Sequence, residues 1–184
     1  MRDPKAPLTL LDACAVLNLY ATRWMGPILA VVHGPVGVAD VVAREAQFVL
    51  RGGTGEDARE REPVDLQPLL SDGLLEVIFS DVEELLTFID LSQEVGEGEA
   101  MTASLAIHRG CIVVTDDRKA SRVLVARGVE LRTSLDLIRV WGESQIVTRA
   151  VLRAALTALQ QRGNYDLQRG HPLREWWDEV MNPL

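Results

Sequence analysis

No run of 18 apolar residues occurs in this chain, so no segment has the length and character of a membrane-spanning helix. The polar, proline-broken start from Met1 to Pro7 leads straight into an apolar run, so neither a signal peptide nor a membrane anchor is expected, and the expected compartment is the cytoplasm. Only two cysteines are present, Cys14 and Cys111, both in apolar surroundings and without C-x-x-C spacing. They read as small buried hydrophobes, which leaves out a disulfide framework and disfavours a thiol nucleophile. The three histidines, His33, His108 and His171, show no H-E-x-x-H or related spacing, so nothing marks a zinc site. Positive charge is also short: 19 Lys and Arg stand against 27 Asp and Glu, for a net charge of −8. That balance speaks against a broad basic surface for nucleic acid, but not against a nuclease, because carboxylates that hold cations count as negative in the sum. The glycines near Gly52 and Gly53 lack the G-x-x-x-x-G-K-[ST] spacing of a phosphate-binding loop.

What remains is an ordinary globular composition, 47% hydrophobic and 25% charged over 184 residues, which suits one domain with an appendage. Leu8 to Leu11 is an apolar strand with one polar residue, Thr9, and it ends on Asp12. Such a run belongs in the middle of a parallel sheet, and it delivers Asp12 to the C-terminal edge where α/β proteins bind ligands. Two roles are open to Asp12: a cation ligand, or the N-cap of the helix that starts at Ala13. Val36 to Ala39 reads as a very short strand. Asp40 reads as the cap of a helix from Val41 to about Leu50, on which Val41, Glu45 and Phe48 share a face beside the apolar stripe. Arg51 to Pro63 is glycine-rich, then densely charged, and is expected as a mobile surface loop. Leu66 to Leu70 reads as a short helix, Leu74 to Phe79 as a strand, and Asp81 as the cap of a helix through Leu91.

Gly96 opens a further helix whose small residues, Ala100, Ala103 and Ala106, let its backbone approach the sheet. Glu97 and Glu99 stand in its first turn, where the helix dipole favours acids whatever else they do. Cys111 to Val114 is another buried strand, and it ends on Thr115-Asp116-Asp117. A second strand that terminates on carboxylates is the most informative repetition in the sequence. A helix from Arg118, a stop at Gly128 and a last strand from Val129 to Thr133 complete an α/β pattern with a mostly parallel sheet. From Ser134 onward the pattern is helical: Leu135 to Trp141, Ile146 to Gln161, a break at Gly163-Asn164, and an amphipathic piece from Leu173 to Met181. This reads as a C-terminal extension, 134–184, packed on a domain spanning 1–133, and it is a candidate surface for self-association or partner binding. Its Trp176-Trp177 pair is expected in the core.

Asp12, Glu45, Glu99, Asp116 and Asp117 can therefore converge above one sheet edge. Oxygen-only ligands suit Mg2+ or Mn2+, and acid-rich pockets holding such ions hydrolyse phosphodiesters by activating water and offsetting charge on the leaving oxygen. A receiver-like or phosphatase-like protein also carries acids at strand ends, but it needs a Lys at the end of a further strand, and here that strand ends on Thr133-Ser134.

Four segments together, Leu10-Leu11-Asp12-Ala13-Cys14-Ala15-Val16-Leu17-Asn18-Leu19, Val41-Val42-Ala43-Arg44-Glu45, Gly96-Glu97-Gly98-Glu99-Ala100 with Ala103 and Ala106, and Val113-Val114-Thr115-Asp116-Asp117-Arg118, resemble in order and spacing the acidic motifs of PIN-domain proteins. The resemblance covers roughly Leu8 to Thr133. It implies a three-layer α/β/α fold and a Mg2+- or Mn2+-dependent endoribonuclease acting on single-stranded RNA, as in the VapC toxins of toxin–antitoxin pairs; a small antitoxin protein and a second copy of the chain, as a homodimer, are the candidate protein partners. It further implies that Asp12, Glu45, Glu99 and Asp117 form the acidic quartet, with Asp12, Glu99, Asp116 and Asp117 as metal ligands. Thr115, Asn18 and Glu97 would support them, and Arg118, Lys119 and Arg122 would contact RNA phosphates, with Arg23 a weaker candidate. Many members carry Asp where this chain has Glu99, which has one more methylene of reach. Toxin-type members are also usually shorter than this chain. The alternative within the same fold is a non-catalytic module that binds nucleic acid or protein.

Overall fold

In the computed structural model, residues 3, 5–45, 47–52, 56–144 and 147–182 are described. The chain enters β1 (Thr9–Leu11), turns at Asp12 into α1 (Ala13–Ala21) and α2 (Met25–Ala30), and returns through β2 (Val36–Ala39) to α3 (Asp40–Arg44). A two-stranded antiparallel hairpin, β3 (Phe48–Leu50) with β4 (Arg61–Pro63), precedes α4 (Gln67–Ser71) and β5 (Glu76–Ile78). The second half runs α5 (Val82–Leu91), α6 (Glu97–Arg109), β6 (Ile112–Val114), α7 (Arg118–Ala126) and β7 (Glu130–Arg132). Three helices close it: α8 (Ser134–Gly142), α9 (Arg149–Gly163) and α10 (Arg174–Met181).

The main sheet has the order β5-β2-β1-β6-β7, and every pairing in it is parallel. From β1 the chain moves to one side through β2 and β5, then crosses over and fills the other side with β6 and β7. Right-handed crossovers therefore place α1 and α6 on opposite faces, which gives the three-layer α/β/α arrangement. Strands β1 and β2 are buried along their whole length, as a central parallel strand must be. Helix α6 lies against β1, β2 and β6 with Ala100, Ala103 and Ala106 all buried, and α5 covers it from outside. The other face is covered by α1, on which α8 and α9 pack, and α10 rests on α9.

Helix α5 starts on a reciprocal cap in which Asp81 and Glu84 each accept the other's backbone N–H. Glu84 is buried, and Arg109 at the end of α6 grips both its oxygens, at 2.6 and 2.7 Å, pinning α5 to α6. The outer face of α5 leaves Val82, Leu86 and Ile89 more than half exposed. Trp177 is buried, as expected, and stacks on Tyr165; Trp176 is only half-buried.

Three expectations need correction. The helix at Val41 stops at Arg44 instead of running to Leu50: Glu45 is already extended, and Phe48 to Leu50 pair with Arg61 to Pro63. Two β-favouring residues, Phe48 and Val49, gain a partner strand there, and the Gln47 amide donates to the Val42 carbonyl that the short helix leaves free. Asp40 is the first helical residue, not the cap, and it pairs with Arg44. The charged segment expected as a loop holds a 3-10 turn at 56–59 and all of β4, and Glu62 on β4 receives both outer nitrogens of the buried Arg162. Elsewhere the differences are at ends: β5 keeps only Glu76 to Ile78 of its expected span, and α9 begins at Arg149 with Thr148 as its cap. The expected start at Ile146 lies outside the described residues.

Candidate functional site

The chain changes direction across the sheet between β1 and β6, and at such a switch point the C-terminal edge opens into a crevice. Leu11 is in register with Val114, so Asp12 and Thr115 come next to each other at that edge, and the Asp12 N–H donates to the Val114 carbonyl at 3.2 Å. Two strands thus end on polar residues at one place, and helices α1 and α7 begin there.

Asp12 plays the capping role and leaves room for another. Its Oδ1 accepts the Ala15 N–H at 2.7 Å, while Oδ2 is buried and has no hydrogen-bond partner among the described residues. With 1% of the residue exposed, burial pushes its carboxyl up from 3.8 to about 7; the Thr115 side chain and the Ala15 N–H work against the rise, and the charges of Asp116 and Glu99 add to it. A buried carboxylate oxygen without a donor is costly in its charged form, so this site favours either a proton or a cation on Asp12.

Asp116 faces the same crevice and is held from two sides. Its Oδ2 accepts the Asn18 amide at 2.8 Å, and its Oδ1 accepts the Ser134 N–H at 3.2 Å from the first turn of α8. Asn18 is buried on the first helix, where the sequence places it, and its task is to orient Asp116. Asp117 caps α7 through Oδ1 to the Ala120 N–H at 2.7 Å, and Thr115 accepts the Asp117 N–H at 3.1 Å. Between the two strand-end acids, Asp116 thus acts on Asp12 and Asp117 serves α7. Cys14 lies beside both, and burial with the neighbouring carboxylates pushes its thiol up to about 12, so it stays protonated.

Glu45, Glu97 and Glu99 meet at the start of α6. Glu45 follows α3 as an exposed, extended residue, and its carboxyl is raised by burial first and then by the charges of Glu99 and Glu97. Gly98 permits this approach: a Cβ there would stand 3.2 Å from Glu45 Oε1 and from Val42 Cγ2. Glu99 is half-buried and folds back over Gly96, whereas Glu97 is exposed. Glu99 is therefore the link between the two groups of acids, since it acts on both Asp12 and Glu45.

Arg118, Lys119 and Arg122 are exposed at the start of α7, and none forms an ion pair among the described residues. Arg23 lies at the far end of α1, about 14 Å along the helix from Asp12, in a surface pocket with Arg51, Arg153 and Arg162. It takes no part in the acidic edge. The sequence offers no signal for Ser134 or Tyr165. Tyr165, half-buried in the connection between α9 and α10, feels the charge of Asp116, and its hydroxyl is raised chiefly by burial.

A hard divalent cation fits the donor chemistry of this edge, which is all oxygen and includes the orphaned Asp12 Oδ2. Among the described residues no three acids, histidines or cysteines are drawn together closely enough to hold an ion as they stand. Asp12, Glu99 and Asp116 are the side chains that would hold one. Comparison with protein-family models, curated proteins and solved structures gives no match for this chain.

Proposed function

We propose that the chain is a Mg2+- or Mn2+-dependent endoribonuclease of PIN type that cleaves single-stranded RNA, acting as the toxin of a toxin–antitoxin pair. What supports it is Asp12: a buried carboxylate at the sheet's switch point, one oxygen engaged as a helix cap and the other without a hydrogen-bond partner among the described residues, beside Asp116 and Glu99. A cation held there by Asp12, Glu99 and Asp116 would supply an activated water and would offset the charge that grows on the leaving oxygen. The protein's own residues do the positioning. Asn18 and the Ser134 N–H fix Asp116; the Ala15 N–H fixes Asp12; Thr115 holds the turn between the strand and α7. Glu45 and Glu97 extend the acidic edge toward solvent and are the candidates to accept a proton from water. Arg118, Lys119 and Arg122 supply positive charge on the α7 side for the phosphates that flank the reacting one.

A non-catalytic module of the same fold is the second reading, and one observation favours it. Both Asp116 oxygens and one of Asp117 are already engaged in structural hydrogen bonds, and the acids do not stand as one coordinating group among the described residues. Incubation of the purified protein with a mixed panel of single-stranded RNAs in Mn2+, Mg2+ or EDTA, with Asp12→Asn alongside, separates the two. Metal-dependent cleavage that disappears in the variant is the expected result. Metal-independent RNA binding, with no cleavage and no response to Asp12→Asn, would establish the module instead.

A further inference from the structure

The connection between α9 and α10 crosses the C-terminal edge of the sheet and encloses a pocket of about 430 Å3 against the end of β6 and the start of α7. One wall carries Asp116, Arg118 and Ser121, and the other carries Tyr165, Gln168 and His171, with the Asp166 carboxylate among them. The pocket therefore opens on Asp116, whose charge acts on the buried Asp12, so a ligand lodged in it has its near end at the acidic edge.

The walls differ in chemistry. Arg118 is exposed and forms no ion pair among the described residues, so it is available to a phosphate. The Ser121 hydroxyl donates to the Asp117 carbonyl at 2.7 Å, which leaves its lone pairs as acceptors toward the pocket. On the opposite wall, His171 Nδ1 accepts the Leu173 N–H at 3.1 Å; a neutral imidazole in that bond carries its proton on Nε2, a donor. Gln168 is exposed and offers both an amide donor and an acceptor. Tyr165 is held by stacking on the buried Trp177, with ring centroids 6.1 Å apart and planes 29° apart. A fixed aromatic ring beside an amide and an imidazole is what proteins use to read an unstacked nucleobase, and a cation at the other wall suits the phosphate attached to it. The volume lies within the range of small-molecule sites and is large enough for one nucleotide.

We propose that this pocket binds one nucleotide of the RNA next to the scissile phosphate, and that the C-terminal extension thereby sets which base is accepted at that position. The identity of the ligand as part of an RNA substrate rests on the ribonuclease reading; the nucleotide site itself does not. Gly170 provides the test, because it lines the pocket and a Cβ built on it meets nothing within 4 Å, so a large side chain can be added without a backbone clash.

Binding of the four 5′-nucleoside monophosphates to the full chain in EDTA, followed by NMR shift perturbation, is the first arm. Saturable binding is expected, weakened about tenfold or more by Gly170→Trp, while Gln168→Ala alters the order of preference among the four bases. Both variants should melt within about 2 °C of wild type, less than the change that 1 kcal/mol produces at this chain length. No saturable binding, or binding that neither variant changes, overturns the proposal. The second arm is cleavage of a randomised single-stranded RNA with Mn2+, where Gly170→Trp should change the base found beside the cut. If wild type and variant cut at the same sites and rates, the pocket proposal falls and the nuclease stands. If the wild type does not cut but pocket-dependent nucleotide binding is present, the nuclease reading falls and the nucleotide site stands.

Discussion

Replacing Asp12 by Asn should stabilise the metal-free protein by an amount that depends on pH. Asn keeps the cap, because its side-chain oxygen can accept the Ala15 N–H as the carboxylate does. It removes a charge from a residue that is 1% exposed and whose second oxygen has no hydrogen-bond partner among the described residues. Burial foremost raises the Asp12 carboxyl from 3.8 to about 7. A carboxyl raised in the folded state binds its proton more tightly there than in the unfolded chain, so the wild type loses stability as pH rises through the interval between the two values and loses no more above the higher one. The interval of about three pH units corresponds to a ceiling of about 4 kcal/mol, reached near pH 8, with almost no difference near pH 4. In a chain of this length each kcal/mol moves the melting temperature by about 2–4 °C, so the Asn variant should melt about 10 °C higher at the alkaline end. The assay is thermal unfolding of both proteins in EDTA across that pH range, repeated with Mn2+. Mn2+ should raise the wild type and leave the variant where it was, since a ligand of the folded state stabilises only what it binds. A variant that melts lower than wild type at alkaline pH, or a difference that stays constant from acid to alkali, would refute the reasoning about the buried charge.

Glu45→Gln should lower metal-dependent cleavage about tenfold or more while moving the melting temperature by less than about 2 °C, because the side chain is exposed and belongs to the acidic edge without supporting the core; single-turnover cleavage and a melt on one preparation check both. Arg109→Met leaves the buried Glu84 carboxylate without its bidentate partner and should cost about 2–3 kcal/mol in urea unfolding, at the low end for a buried pair because Arg109 is about one-third exposed. Arg109 holds the Glu84 carboxyl below its usual range, so the pair contributes fully above about pH 4.5 and its contribution fades as pH falls through the depressed value; the variant's deficit should shrink in acid. Arg162→Met removes donors from the Ala21 and Arg51 carbonyls and from Glu62, and should cost about 2–4 kcal/mol while hydrogen exchange in the β3–β4 hairpin speeds up.

The parallel sheet was legible because its central strands are short, apolar and end on acids: Thr9 to Leu11 and Ile112 to Val114 each satisfy one local pattern, and their register follows from the crossovers. The end of α3 was not legible. Val41 to Leu50 carries apolar residues that fit a helical stripe, and only the distant Arg61 to Pro63 strand, together with the Gln47 amide on the Val42 carbonyl, tips Phe48 to Leu50 into β structure. That strand sits in a segment whose charge density reads as solvent-exposed, because the side chain that satisfies Glu62, Arg162, is 100 residues further on. Asp12 could be placed at an edge from sequence, but the division of its two oxygens between a cap and no partner belongs to three-dimensional packing. The same is true of Asp116: the amide and the N–H that hold it come from α1 and α8, which no local pattern brings together.

The charge balance of the edge then decides what kind of partner it takes. Asp12, Asp116, Glu99, Glu45 and Glu97 act on one another, while the donors facing them include the Thr115 hydroxyl, the Asn18 amide and the backbone N–H groups of Ala15 and Ser134. Those donors are neutral, and together with the positive ends of α1, α6 and α7 they offset only part of five carboxylates. The guanidinium and ammonium groups at the start of α7 are exposed and form no ion pair among the described residues, so they suit an approaching polyanion better than they neutralise the acids. An RNA phosphate carried past Arg118 and Lys119 to the reacting position beside Asp12 would meet repulsion from Asp12, Asp116 and Glu99 unless cations arrive with it or before it, whereas a phosphate that stops at Arg118 does not need them. Ionic strength and divalent concentration should therefore act in opposite directions on RNA binding: monovalent salt weakens it by screening the arginines, and Mn2+ strengthens it by offsetting the acids. A module that bound RNA through the exposed basic residues alone would show the first effect without the second.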